Sequence, residues 1–94
     1  MTPYDLNAAQ NAERRWALLL ALYEARWSHV SETVLAAELS DSTIVVSRNQ
    51  LLRDLQYLKG RQLIESDRAE SGTTRACILA GGVDLVEYSS GDIV

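Results

Sequence analysis

The chain has 94 residues, a formal net charge of −4, and one each of Cys, His, Met and Pro, with no Phe. That length suits one domain. A single Cys cannot build a disulfide framework, and one Cys with one His is too small a set for the usual zinc sites, so no metal and no cofactor are expected. The longest uncharged apolar run, Trp16 to Tyr23, is far short of a membrane span of roughly 20 residues. The first residues show no basic segment followed by an apolar one, so a soluble intracellular domain without a leader is expected. Residues 1–10 read as a flexible N-terminal segment, 11–88 as the domain, and 89–94 as a C-terminal tail.

The first element is a helix from about Asn11 to Trp27. Trp16, Leu20, Tyr23 and Trp27 fall at i, i+4, i+7 and i+11 and mark its inward stripe, widened by Leu18, Leu19 and Leu22. So wide an apolar face predicts a second packing partner, and a homodimer through helix 11–27 is expected. Ser31 then caps a second helix from Glu32 to about Leu39, with Val34, Leu35 and Leu39 inward. Residues 40–43 are turn chemistry, and Ile44-Val45-Val46 reads as a short strand or a tight buried connection.

Ser47 is placed as the N-cap of a third helix that runs to about Lys59. Leu51, Leu55 and Leu58 form its apolar row, joined by Leu52. Gly60 is expected to end it in a left-handed conformation. The period then changes. Residues 63–68 read as a strand, 69–72 as a turn, and 73–79 as the returning strand, rich in β-branched residues. Gly81-Gly82 ends that strand, and a short helix from Val83 to Tyr88 follows with Leu85 and Val86 inward.

This order, helix-helix-helix-hairpin-helix, resembles the winged helix-turn-helix. The stretch Val46-Ser47-Arg48-Asn49-Gln50-Leu51-Leu52-Arg53-Asp54-Leu55-Gln56-Tyr57-Leu58 carries the likeness. It is similar to the second helix of the helix-turn-helix in bacterial repressors, with a Ser before the helix and an apolar-x-x-Asp-Leu-x-x-Leu pattern after it. Leu63-Ile64 matches the pair that opens the wing in those families. Leu79 to Leu85 resembles the segment where the wing returns to a closing helix. Two departures stand out: Gln62 holds the place of the usual Gly before Leu-Ile, and Ala80 that of the usual Thr. From Ala12 to Tyr88 the chain further resembles a small winged-helix protein of Mu-like bacteriophages, through Arg14-Arg15, the Val46-Ser47-Arg48 lead-in and Gly82-Val83-Asp84. The resemblance implies an α+β winged helix with a three-helix core, a β-hairpin wing and a short C-terminal helix. It also implies a phage or prophage regulator in the bacterial cytoplasm.

The residue chemistry agrees with double-stranded DNA as partner. Cations neutralise phosphates, and forked side chains read base edges. Ser47, Arg48, Asn49, Gln50 and Arg53 stand near the start of the third helix, where base contacts fall in this class of docking. Gln56 and Tyr57 extend that set, and Arg68 and Arg75 flank the hairpin tip as backbone contacts. Between residues 43 and 61 four cations face Asp54 alone, a balance of +3. Residues 1–41 hold three Arg against six acids, a balance of −3. Glu65, Asp67 and Glu70 would repel phosphates if they shared the face of the wing arginines. The acidic wing and ends therefore keep open a second reading, a protein-interaction module that does not bind DNA. His29 reads as a polar loop residue and Cys77 as a small buried hydrophobe. No catalytic constellation is present, and no enzyme activity is expected.

Overall fold

The computed structural model describes residues 6–90. The order is α1 (Leu6–Glu24), β1 (Val30–Ser31), α2 (Glu32–Asp41), α3 (Arg48–Gly60), β2 (Ile64–Arg68), β3 (Thr74–Ile78) and α4 (Ala80–Ser90). The three strands form one antiparallel sheet in the order β1-β3-β2. This is the architecture that the sequence pattern implies: three helices packed together, a hairpin wing, and a closing helix.

The core is built by every element. Leu18, Leu19 and Leu22 of α1 meet Leu35 and Leu39 of α2 and Leu51, Leu55 and Leu58 of α3. Ile64, Ala76 and Ile78 add the inner face of the sheet, and Val86 adds α4. Each buried leucine contributes roughly 1.5–3 kcal/mol relative to exposure.

Several boundaries and faces differ from expectation. The helix α1 begins at Leu6, inside the segment 1–10 that reads as flexible, and ends at Glu24 rather than Trp27. Residues 1–5 and 91–94 of the expected loose ends lie outside the described residues, whereas Ser89 and Ser90 belong to α4. The expected inward face of α1 is right for Leu18, Leu19 and Leu22, which are buried in the core, and wrong for its two tryptophans. Trp16 is 37% exposed, Trp27 is 59% exposed and no longer helical, and Leu20 and Tyr23 are only half-buried. The buried row is instead Arg14, Leu18 and Leu22 with Leu19 beside it. At 100° per residue that row lies well over a quarter-turn from Trp16. Val34 and Leu85 also point outward, not inward. Ile44 and Val46 tuck against the core while Val45 is 92% exposed, so this segment is an extended connection and not a strand.

Helix ends follow local chemistry. Ser47 and Gln50 form a reciprocal capping box: the Gln50 amide donates to Ser47 Oγ at 3.2 Å and the Ser47 amide donates to Gln50 Oε1 at 3.0 Å. Ser31 caps α2 by accepting from the Val34 amide. At the other end of α3, Gly60 is still helical, and the left-handed residue is Gln62, with φ of 61°. The Gln62 amide donates to Lys59 O at 2.9 Å and the Leu63 amide to Leu58 O at 3.1 Å, which is a Schellman turn. Helix α2 ends in the same way, with Thr43 at φ of 63°, its amide on Ser40 O and the Ile44 amide on Leu39 O. Both left-handed sites thus carry side chains that disfavour the conformation.

Gly81 and Gly82 do not end β3 as a turn. They form the first turn of α4, which starts at Ala80. A β-carbon on Gly82 would collide with Leu63 O and lie 2.7 Å from Ile78 Cγ1, so only glycine lets α4 sit this close to the sheet. Gly82→Ala should therefore lower the unfolding free energy by roughly 1–3 kcal/mol, as overpacking does. Gln62→Gly should raise it by about 0.5–1 kcal/mol by removing the left-handed penalty. Urea denaturation of the two variants beside the parent checks both signs.

Candidate nucleic-acid interface

A buried ion pair sets the orientation of α3. Asp54 is 1% exposed and faces α1, where Arg14 Nε donates to its Oδ2 at 2.7 Å. Arg14 Nη2 reaches Asp54 Oδ1 at 3.4 Å and Asn11 Oδ1 at 2.6 Å, while Arg15 Nε donates to Asp54 Oδ1 at 3.2 Å. Nothing near Arg14 in the sequence announces this pair, because Asp54 lies 40 residues away. The signal that Arg14 faces inward is the row Asn11, Arg14, Leu18, Leu22, at i, i+3, i+7 and i+11.

With Asp54 and Leu51, Leu55 and Leu58 inward, helical geometry turns Asn49, Arg53 and Gln56 outward. These three occupy one solvent-facing stripe at i, i+4 and i+7, and all are exposed. Among the described residues no ion pair engages Arg53. The other expected site residues of α3 sit elsewhere. Ser47 and Gln50 are committed to the capping box. Arg48 lies on the α2 flank, where its Nε donates to Glu32 Oε1 at 2.8 Å. That pair joins the first turns of α2 and α3 and keeps Glu32, buried beside the positive end of α2, partly satisfied. Glu32 Oε2 is buried without a hydrogen-bond partner among the described residues. Tyr57 lies on the α1 flank, with the Arg15 guanidinium 3.8 Å from its ring centroid and that of Arg61 at 5.1 Å.

The wing sorts its charges by strand alternation. Register pairs Asp67 with Arg75, and Arg68 with Thr74. Successive residues point to opposite faces. Ile64, Ser66 and Arg68 therefore share the side of the sheet that packs on the helices, while Glu65, Asp67, Arg75 and Cys77 share the outer side. Arg75 Nε donates to Asp67 Oδ1 at 3.0 Å on that outer side. This hydrogen bond, reinforced by charge, holds the Asp67 carboxyl below its ordinary 3.8 and raises Arg75. A depressed carboxylate value favours the fold above the unfolded-state value and loses that contribution as pH falls through the folded one. The pair is thus intact at neutral pH. Arg75 is neutralised away from α3, whereas Arg68 stands on the α3 side of the tip, and Lys59 Nζ donates to Ser66 O at 3.2 Å beneath it. The acids of β2 consequently do not share the face of Arg68.

The fold is matched by solved winged-helix regulators. A PadR-like transcription factor from Bacteroides fragilis superposes with a TM-score of 0.70 at 14% identity, covering 93% of this chain and 88% of that one. RosR from H. salinarum gives 0.68 at 20% identity, covering 86% and 76%. A PadR-family transcriptional regulator from Eggerthella lenta gives 0.61 at 17% identity, covering 93% and 80%. No family model matches the chain, and no curated protein does. At these identities the likeness defines the fold: this chain is a winged helix-turn-helix domain. Among the described residues no helix is long and apolar enough to cross a membrane.

Removing one partner of the buried pair isolates its role. Asp54→Ala leaves Arg14 buried without its counter-ion and should cost about 3–5 kcal/mol. The double change Arg14→Leu with Asp54→Leu should recover most of that loss. Thermal and urea unfolding of the single and double variants measure the difference.

Proposed function

We propose that the protein is a DNA-binding transcriptional regulator, in which α3 enters the major groove and the wing contacts the backbone. The observation that carries this reading is the exposed stripe Asn49, Arg53 and Gln56 on the helix that the fold presents outward. Asn and Gln are forked readers of adenine, and Arg of guanine or phosphate. Arg68 supplies a phosphate contact from the wing on the same side. Arg48 acts from its Glu32 anchor, holding α3 at its angle to α2. Ser47 and Gln50 fix the first turn from which Asn49 projects. Tyr57 stacks with Arg15 and Arg61 on the α1 side of α3, away from this stripe, and Arg75 contributes least. The regulators that share the fold lend support to the same reading.

A phage or prophage setting in the bacterial cytoplasm is supported by the order of the motifs from Arg14-Arg15 to Gly82-Val83-Asp84. A homodimer through α1 is supported by its exposed apolar side. Trp16 and Leu85 border a groove of about 280 Å³ between α1, α3 and α4, and Tyr88 stands exposed beyond it. Dimerisation would double the few phosphate contacts that one protomer offers.

Fluorescence anisotropy against DNA fragments at two salt concentrations tests the main reading. Arg53→Ala should weaken binding and lower the salt slope by about 1. Asn49→Ala should relax base preference at one position, at a cost of about 1–3 kcal/mol. Arg75→Ala should leave both unchanged. Absence of binding to every fragment at low salt rejects this reading and leaves the protein-interaction module. Sedimentation tests the dimer: the parent should associate at micromolar concentration, and Trp16→Glu should yield monomer.

A further inference from the structure

The outer face of the wing sheet carries a row of three donors that the DNA-binding reading does not use. Register places Glu65 of β2 opposite Cys77 of β3. On the other edge Val30 pairs with Ala76 and Ser31 with Arg75, so extending that register by one residue sets His29 opposite Cys77. The side chains of Glu65 and Cys77 on the two wing strands, and of His29 just before β1, therefore stand in one line across the sheet, with the thiol in the middle.

Cys77 is 5% exposed, yet it is absent from the core cluster that contains its neighbours Ala76 and Ile78. Alternation explains this, because those neighbours point inward and Cys77 points out. Its thiol lies 3.5 Å from Ile78 O, and His29 and Glu65 flank it on that face. His29 Nε2 and Glu65 Oε1 meet at 3.1 Å beside it. The imidazole nitrogen, the carboxylate oxygen and the sulfur all lie within 4.8 Å of one another. A surface recess of about 110 Å³, lined by His29, Glu65, Ser66 and Asp67, opens beside them. The expectation that a chain with one Cys and one His holds no metal counted only those residue types. The third donor here is a carboxylate.

We propose that His29, Glu65 and Cys77 bind a divalent transition metal of borderline softness, of the zinc and cobalt class. Sulfur and imidazole donors disfavour calcium and magnesium, which take oxygen ligands. Three protein donors fill three corners of a tetrahedron and leave the fourth to water from the recess. The 3.1 Å separation of the imidazole nitrogen and the carboxylate oxygen is already that of two ligands on one ion. Binding breaks the Cys77 S–H bond, forms a metal–sulfur bond and releases the proton to solvent. Burial, with a smaller push from Glu65, raises the thiol above its ordinary range, and an ion bound beside it would offset both effects. The bound ion would clamp the two-residue strand β1, which leads directly into α2, to the wing.

The test uses the untagged full-length protein, stripped with a chelator and kept reduced, and titrated with Co²⁺ in the absence of DNA. A sulfur-to-cobalt charge-transfer absorption should appear with a stoichiometry of one and disappear on addition of Zn²⁺. Cys77→Ser should abolish the band. His29→Ala and Glu65→Ala should each weaken cobalt binding by at least about tenfold, since loss of even an outer-sphere partner costs roughly 10- to 100-fold. Circular dichroism confirms that each variant is folded. Should Cys77→Ser fail to fold, the parent decides alone through alkylation of Cys77, which Zn²⁺ should slow in the parent and not in His29→Ala. The proposal is overturned by folded parent protein that gives no thiolate band up to millimolar Co²⁺, or by a band indifferent to His29 and Glu65. Neither result bears on whether α3 binds DNA.

Discussion

The carboxylate of Asp54 is the point from which the arrangement of this domain is set. A charge buried to 1% exposure must find cations, and Arg14 and Arg15 of α1 are the ones that reach it. Desolvating Arg14 and Asp54 costs much of what their attraction returns, so the pair contributes orientation more than net stability. It fixes the rotation of α1 about its axis. With Arg14 inward, Leu18 and Leu22 follow on the same row, and Trp16 is carried out to the surface. It also fixes the rotation of α3, since a helix that points Asp54 inward must point Arg53 and Gln56 out. One polar contact thus decides which side chains meet solvent on two helices.

That contact explains where sequence reading succeeded and where it failed. The helix α3 was legible because its start is a local capping box and its apolar row is clean. The hairpin was legible because Ala69-Glu70-Ser71-Gly72 joins two short runs of opposite chain direction, with Gly72 in the left-handed region at φ of 87°. The phase of α1 was not legible. Its apolar residues cover so much of the circumference that hydrophobicity alone cannot select a face, and aromatic residues outweighed an arginine that had no visible partner. The strand β1 was illegible for a different reason: two residues carry no period, and Val30 and Ser31 are extended only because β3 lies beside them. Gly60 was misread because a glycine invites the role of helix terminator, while the left-handed turn that closes α3 falls two residues later, at Gln62, where Leu63 reaches the core.

The candidate interface was legible in composition but not in geometry. Nine residues of suitable chemistry cluster in the sequence, and the structure divides them by task. Ser47 and Gln50 cap, Arg48 braces, Tyr57 stacks, and Arg75 pairs with Asp67. What is left facing outward is a narrow polar stripe with Arg68 beyond it. The net charge of −4 is distributed in the same way. Asp54 is cancelled inside the domain, and Glu65 and Asp67 face away from the helices. A negative total is therefore compatible with a locally cationic surface, because in a two-sided sheet adjacent residues in sequence belong to opposite fields.

The same alternation gives the wing two independent faces. The inner one holds Ile64, Ala76 and Ile78 against the helices and carries Arg68 at its end, so its composition answers mainly to packing. The outer one has no core to cover. A polar sheet face is ordinarily a mixture of exposed side chains, and Asp67 with Arg75 fits that description. Cys77 does not, since a small apolar thiol gains nothing from a solvent-facing site unless something closes over it. His29, just before β1, and Glu65 of β2 flank it, and they are side chains that bring donor atoms instead of hydrocarbon. A valine or threonine at residue 77 would serve a merely structural strand better. Sulfur there, beside imidazole and carboxylate, makes chemical sense as a set of ligands.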